Sequence, residues 1–171
     1  MNKAITFILI FFVTNLYSQR FIDKKAEISF FSEALIEDIS AKNNKVSVVY
    51  DVETKQLVFQ LNISDFVFQK PLMQEHFNEN YLESDRFPKA SFSGIIGELN
   101  KISIAKGILK IHGESNEVKV KGSLVKSNDN VILDATFTIQ LKDYNIKIPK
   151  IVIYNIAEEI EINVKAKLKE I

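Results

Sequence analysis

Along most of its length this chain alternates apolar and polar residues with a period of two. The run that begins at Val131 is the cleanest. Val131, Leu133, Ala135, Phe137, Ile139 and Leu141 fall on one side, and Asp134, Thr136, Thr138, Gln140 and Lys142 on the other. That spacing sends the two sets to opposite faces of a strand. The same pattern recurs at Val46/Val48/Tyr50, at Leu57/Phe59/Leu61, at Val118/Val120/Leu124 and at Ile160/Ile162/Val164/Ala166/Leu168. About eight such strands are predicted, each with one apolar and one polar face. A sheet of this kind must bury its apolar face, and closing into an antiparallel barrel also removes its exposed edges. The expected fold is therefore mainly β, an eight-stranded antiparallel barrel with a short helical connector. A barrel of that size holds either packed side chains or one small ligand. A two-sheet sandwich is the alternative that the pattern leaves open. No internal repeat, low-complexity tract or flexible linker interrupts residues 19–171, which read as one domain.

The start of the chain reads differently. Lys3 precedes an unbroken apolar run over residues 4–13, AITFILIFFV. A spanning helix needs roughly 20 apolar residues, so this run is too short. Leu16-Tyr17-Ser18 ends in a small residue, which suits cleavage of a signal peptide after Ser18 and a mature chain from Gln19. An uncleaved anchor is the alternative. The chain has no cysteine, which excludes a lipid-modified cysteine, disulfides, thiolate metal sites and a cysteine nucleophile. An exported protein without disulfides points to a bacterial envelope, so a periplasmic or secreted location is expected. The formal net charge is zero, which gives no reason to expect a nucleic-acid partner, and no stable membrane insertion is expected.

The strand pattern stops in residues 70–96. Pro71 opens a helix-like run in which Met73, Phe77 and Tyr81 recur every four residues on one face. Asp85-Arg86-Phe87-Pro88 then breaks it, because a residue before proline avoids the helical region. A second helical turn is expected after Ser32 as N-cap, with Leu35, Ile36 and Ile39 on one face and Asn43-Asn44 ending it. Lys165, Lys167 and Lys169 share one face of the last strand and are read as a solvated exterior protecting a sheet edge.

Candidate site residues are few. His76 is either a polar group at a cavity mouth or a buried histidine tying the helix to the sheet by a bond to a backbone carbonyl, and the second reading is preferred. His112, before Gly113, is read as a turn lock whose ring accepts a backbone bond. Nothing resembles a Gly-x-Ser-x-Gly nucleophile turn, so no catalytic residues are assigned and no enzyme activity is expected. Two distant histidines without cysteine fall short of a metal site, and no cofactor is implied. The unusual feature is phenylalanine, with 13 copies and no tryptophan. Phe30, Phe59, Phe66, Phe68, Phe77, Phe92 and Phe137, with Ile139 beside the last, fall mostly at inward positions. They form either the walls of an apolar pocket or an ordinary core.

Three segments together resemble the YceI-like family of periplasmic, lipocalin-like proteins. They are Gln74-Glu75-His76-Phe77 through Phe87-Pro88-Lys89-Ala90-Ser91-Phe92, then Gly107-Ile108-Leu109-Lys110-Ile111-His112-Gly113, and the closing strand over residues 159–168. The resemblance implies an eight-stranded barrel with a helical segment and an apolar interior that holds an isoprenoid or fatty chain. The chain departs from the family at Glu114-Ser115-Asn116, where a threonine is usual, and in a shorter region with Pro149 before the last strand. These departures point to a smaller cavity or to none. The expected partner is an apolar small molecule, and the competing expectation is a filled barrel acting as a stress or interaction protein without a ligand.

Overall fold

The computed structural model describes residues 19–33, 38–148 and 157–171. The expected signal peptide lies outside them, as do Leu35 and Ile36. Nine strands are seen among the described residues: β1 (Arg20–Ser32), β2 (Ile39–Asp51), β3 (Gln56–Asn62), β4 (Val67–Phe68), β5 (Lys89–Ile95), β6 (Lys101–Ile111), β7 (Glu114–Ser127), β8 (Asn130–Gln140) and β9 (Glu159–Glu170). They run in the order β1-β9-β8-β7-β6-β5-β3-β2, and β2 pairs back onto β1. All these pairings are antiparallel. The ring of eight is closed, which decides against a sandwich. The short β4 adds to β2 at Ala41 and Lys42, beyond the stretch that β3 occupies.

Closure changes the meaning of the lysine face. Lys165 pairs with Glu27 on one side and Asp134 on the other, so β9 has no free edge there to protect. Asn43-Asn44 likewise ends no element but sits inside β2. The register between β1 and β2 slips between Ala26↔Val46 and Ile28↔Asn43. Asn43 is fully buried in this irregularity: its Nδ2 donates to the Asn62 carbonyl at 3.0 Å, and its Oδ1 accepts from the Lys45 amide at 2.8 Å. A polar side chain that closes its own backbone turn can sit in a strand at a bulge. The helical turn expected after Ser32 lies outside the described residues. Ser32 is the last residue of β1, buried, and its hydroxyl accepts from the Ala157 amide at 3.0 Å.

The connector from β3 to β5 crosses one end of the barrel, the end that also carries the β6–β7 turn. It begins with a 3₁₀ turn at Ile63–Asp65. Lys45 and Asn62 donate to the two carboxylate oxygens of Asp65 at 2.8 and 3.0 Å and hold that carboxyl below the usual carboxylate range. Helix α1 (Pro71–His76) has Pro71 in its first turn, where a missing amide hydrogen leaves no gap. The helix then widens into a π-turn at Phe77–Tyr81, closed by the Leu82 amide donating to the Phe77 carbonyl at 2.9 Å. The expected stripe of Met73, Phe77 and Tyr81 survives this change of pitch, and all three face the barrel interior.

The interior divides into two halves. At the far end, Phe21, Val48, Tyr50, Leu124, Val131 and Leu168 are each at most 1% exposed and pack as an ordinary core. Toward the connector, inward side chains such as Phe30, Phe137 and Ile162 stay partly accessible although they point to the axis. This half of the barrel is hollow.

Candidate ligand cavity

The hollow half encloses a cavity of about 380 Å³ with almost wholly apolar walls. All eight strands of the ring contribute, β2 through Ile39 alone, and the connector, Leu141 and Ile146 supply the rest of the wall. Phe30, Phe59, Phe66, Phe68, Phe77, Phe92, Phe137 and Ile139 all line it. Four of the rings form one cluster. Phe30 stacks on Phe77 at 5.6 Å and lies 5.4 and 5.7 Å from Phe66 and Phe68, while Phe77 lies 5.6 Å from Phe66 and 4.9 Å from Phe68. Offset and edge contacts of this kind add to the area that each ring buries. Phe59 and Phe92 form a second pair across β3 and β5 at 6.3 Å.

Small residues create the space. Gly122 on β7 pairs with Ala135 on β8, and a Cβ at Gly122 would lie 2.8 Å from the Ala135 methyl. The wall is thin there because neither strand projects a large side chain. On β5 and β6, Gly94 faces Gly107, and a Cβ at Gly94 would meet the Phe92 ring at 2.6 Å. The backbones approach closely at this pair, and the Phe92 ring lies along the gap.

Polar residues along the lining are few: Ser32, Gln60, Ser91, Ser123 and Asp134 on the strands, and Tyr81 and His76 on the connector. Tyr81 lines the cavity, and burial pushes its hydroxyl up from its ordinary pKa, which keeps it a neutral donor. His76 also borders the cavity, but it is exposed. The expected buried histidine is therefore not His76. His76 is the last residue of α1, on the side turned toward the solvent. Neither residue's polarity was needed to read the Met73/Phe77/Tyr81 stripe, and Tyr81 was not singled out for a site. Ile146 was missed too. It is buried against the cavity just after Asn145, which takes a left-handed conformation (φ 53°) to end the 3₁₀ turn at Leu141–Tyr144.

The tie between connector and barrel is made by His112, which does not line the cavity. His112 (φ 51°) and Gly113 (φ 82°) form the two-residue β6–β7 turn. Both residues are left-handed, as a primed hairpin turn requires. The ring Nδ1 donates to the Tyr144 carbonyl at 3.0 Å, which corrects the expectation that the ring accepts the backbone bond: a carbonyl can only accept. Nε2 lies 3.1 Å from a carboxylate oxygen of Glu83 on the connector, and the Phe87 ring packs edge-on at 4.5 Å. Three chain segments thus meet on one buried imidazole. His112→Asn keeps a side chain that tolerates the left-handed turn but is too short for these partners. It is expected to lower stability by about 2 kcal/mol, as an orphaned buried carbonyl does. An unchanged urea midpoint would show that the turn holds without the ring. Among the described residues, no group of three or more histidine, aspartate or glutamate side chains gathers as a metal site.

A closed antiparallel barrel with one apolar chamber and a helical segment across its end is lipocalin-like in class. The model of the YceI-like domain matches residues 20–168, and the chain belongs to that family. Comparison with curated proteins finds no match. Among solved structures, BcnA of Burkholderia cenocepacia superposes with a TM-score of 0.75 at 16% identity, covering 86% of this chain and 98% of its own. A polyisoprenoid binding domain from Saccharophagus degradans gives 0.74 at 9% identity, covering 88% and 97%. The YceI protein of Campylobacter jejuni gives 0.59 at 14% identity, covering 99% and 92%. At these identities the likeness is one of fold.

Proposed function

We propose that this protein binds one long apolar molecule, an isoprenoid or fatty chain, inside the barrel by burial rather than by chemistry. The observation that carries this reading is the chamber of about 380 Å³ walled by phenylalanine and aliphatic side chains. A void of this size forfeits dispersion contacts along its whole lining unless something fills it. Each buried methylene contributes about 0.8 kcal/mol, so a chain of ten or more carbons reaches useful affinity without a charged contact. Tyr81 and His76 stand where a polar head would emerge. The likeness to a domain that binds polyisoprenoids supports the same reading. An exported, periplasmic or secreted location belongs to this proposal and rests on the leader-like residues 1–18. Among the described residues, no helix is long and apolar enough to cross a membrane.

Protein taken from its native envelope and extracted with organic solvent should release a molecule of isoprenoid or fatty-chain mass. The mass of the same protein should correspond to a chain starting at Gln19. Stripped protein should gain melting temperature when a chain lipid is added back, because a ligand that binds only the folded state must raise it. No extracted lipid, together with no shift for any lipid tried, would leave the barrel without a cargo. An intact Met1 in the mature protein would remove the export part of the reading.

A further inference from the structure

We infer that the barrel measures its ligand: the filled half is a floor, and the chamber above it accepts about a dozen carbons and no more. This deepens the binding role proposed above and rests on it. Phe21, Val48, Tyr50, Leu124, Val131 and Leu168 come from five strands, are at most 1% exposed, and none of them lines the cavity. Phe21 pairs with Tyr50 across the β1–β2 seam, and Val131 pairs with Leu168 on β8 and β9. The boundary is sharp. On β8, Val131 belongs to the floor and Leu133, the next inward residue, already lines the cavity. The chamber therefore stops short of the far end, and its lining includes exposed His76 on the connector, Gln60 on β3 and Asp134 on β8.

Strand geometry sets the length. The cavity wall on β8 runs from Leu133 to Ile139. Six residue steps cover about 20 Å of strand, or about 15 Å along the barrel axis at a tilt of about 40°. An extended carbon chain with bonds of about 1.5 Å advances about 1.3 Å per carbon, which places about 12 carbons in that depth. The cargo class that fits is a linear fatty chain of about a dozen carbons, or a short isoprenoid of similar length, with a hydrogen-bonding head beside Tyr81 and His76. A long polyisoprenoid would have to leave most of its units in water.

The test is a series of linear fatty acids with 8 to 20 carbons, titrated into stripped protein against a fluorescent fatty-acid probe. Affinity should rise about fourfold per added carbon while each methylene is buried, then level off between about 12 and 14 carbons. Val131→Ala lowers the floor and should move the break to chains about two carbons longer. Affinity that keeps climbing to 20 carbons, or binding restricted to the longest chains, would overturn the length limit and leave the binding role standing. A break that stays put in folded Val131→Ala would overturn the floor as its cause. Absence of binding for every acid would count against the binding role itself.

Discussion

Phe21→Ala should lower stability by about 4 kcal/mol, within the range seen when a fully buried aromatic side chain is removed. Phe137→Ala, the same chemical change, should lower it by only about 2 kcal/mol. Phe21 is 0% exposed and belongs to the packed far end, so its removal opens a hole that the surrounding strands cannot close. Phe137 already faces open space, with Ala135 two residues before it on the same strand. Its loss forfeits transfer energy but creates no new kind of void, and it enlarges the chamber. Urea midpoints of the two variants measure the difference directly. Equal losses would mean that the barrel is packed evenly from end to end, contrary to the structure.

Phe77→Ala should cost about 3 kcal/mol and weaken ligand binding as well. The ring is the centre of the aromatic cluster, with Phe30, Phe66 and Phe68 all within 5.6 Å, centroid to centroid. It is the side chain that fastens the π-turn to β1 and β4. Its partial accessibility puts the loss at the low end of what a buried phenylalanine costs, while aromatic pairs of this geometry add about 0.5–1.5 kcal/mol each. Phe77→Leu should recover most of the stability. A midpoint unchanged in Phe77→Ala would show that the connector is held by His112 and Glu83 alone.

The alternation of β8 and β9 was legible because nothing interferes with it: one face meets the axis and the other meets water. The breaks in that pattern were misread where a distant partner supplies the explanation. Asn43-Asn44 looks like a turn until Asn62 is placed beside it, and that neighbour is set by the β2–β3 hairpin. Phe21 escaped notice because the Phe-Ile-Asp-Lys-Lys run around it alternates poorly. The register slip between Asp23 and Ala26 is the reason. The tie expected of His76 is made by His112, since a left-handed turn position buries His112 and the end of α1 exposes His76. Whether phenylalanine makes a wall or a core could not be read from its abundance. Gly122 and Ala135 decide it by leaving the axis empty, and their effect appears only once β7 and β8 are in register.

The β1–β9 seam sets a constraint on how this protein can be made. Phe21 pairs with Glu170, so the first and last strands are mutual neighbours. Every other neighbour in the ring is nearby in the chain or follows the connector, and those hairpins can assemble as they emerge. The seam cannot. At about 5–20 residues per second, β1 waits about 7–30 s for its partner to be synthesised. Through that interval it offers an unpaired row of amides and carbonyls to any other strand. A nascent chain released early, without β9, would keep that row open and also lack Leu168, Ala166 and Val164 of the interior. Such fragments would be the aggregating species of this protein, and a chaperone acting on it would find its work at the seam rather than at the chamber.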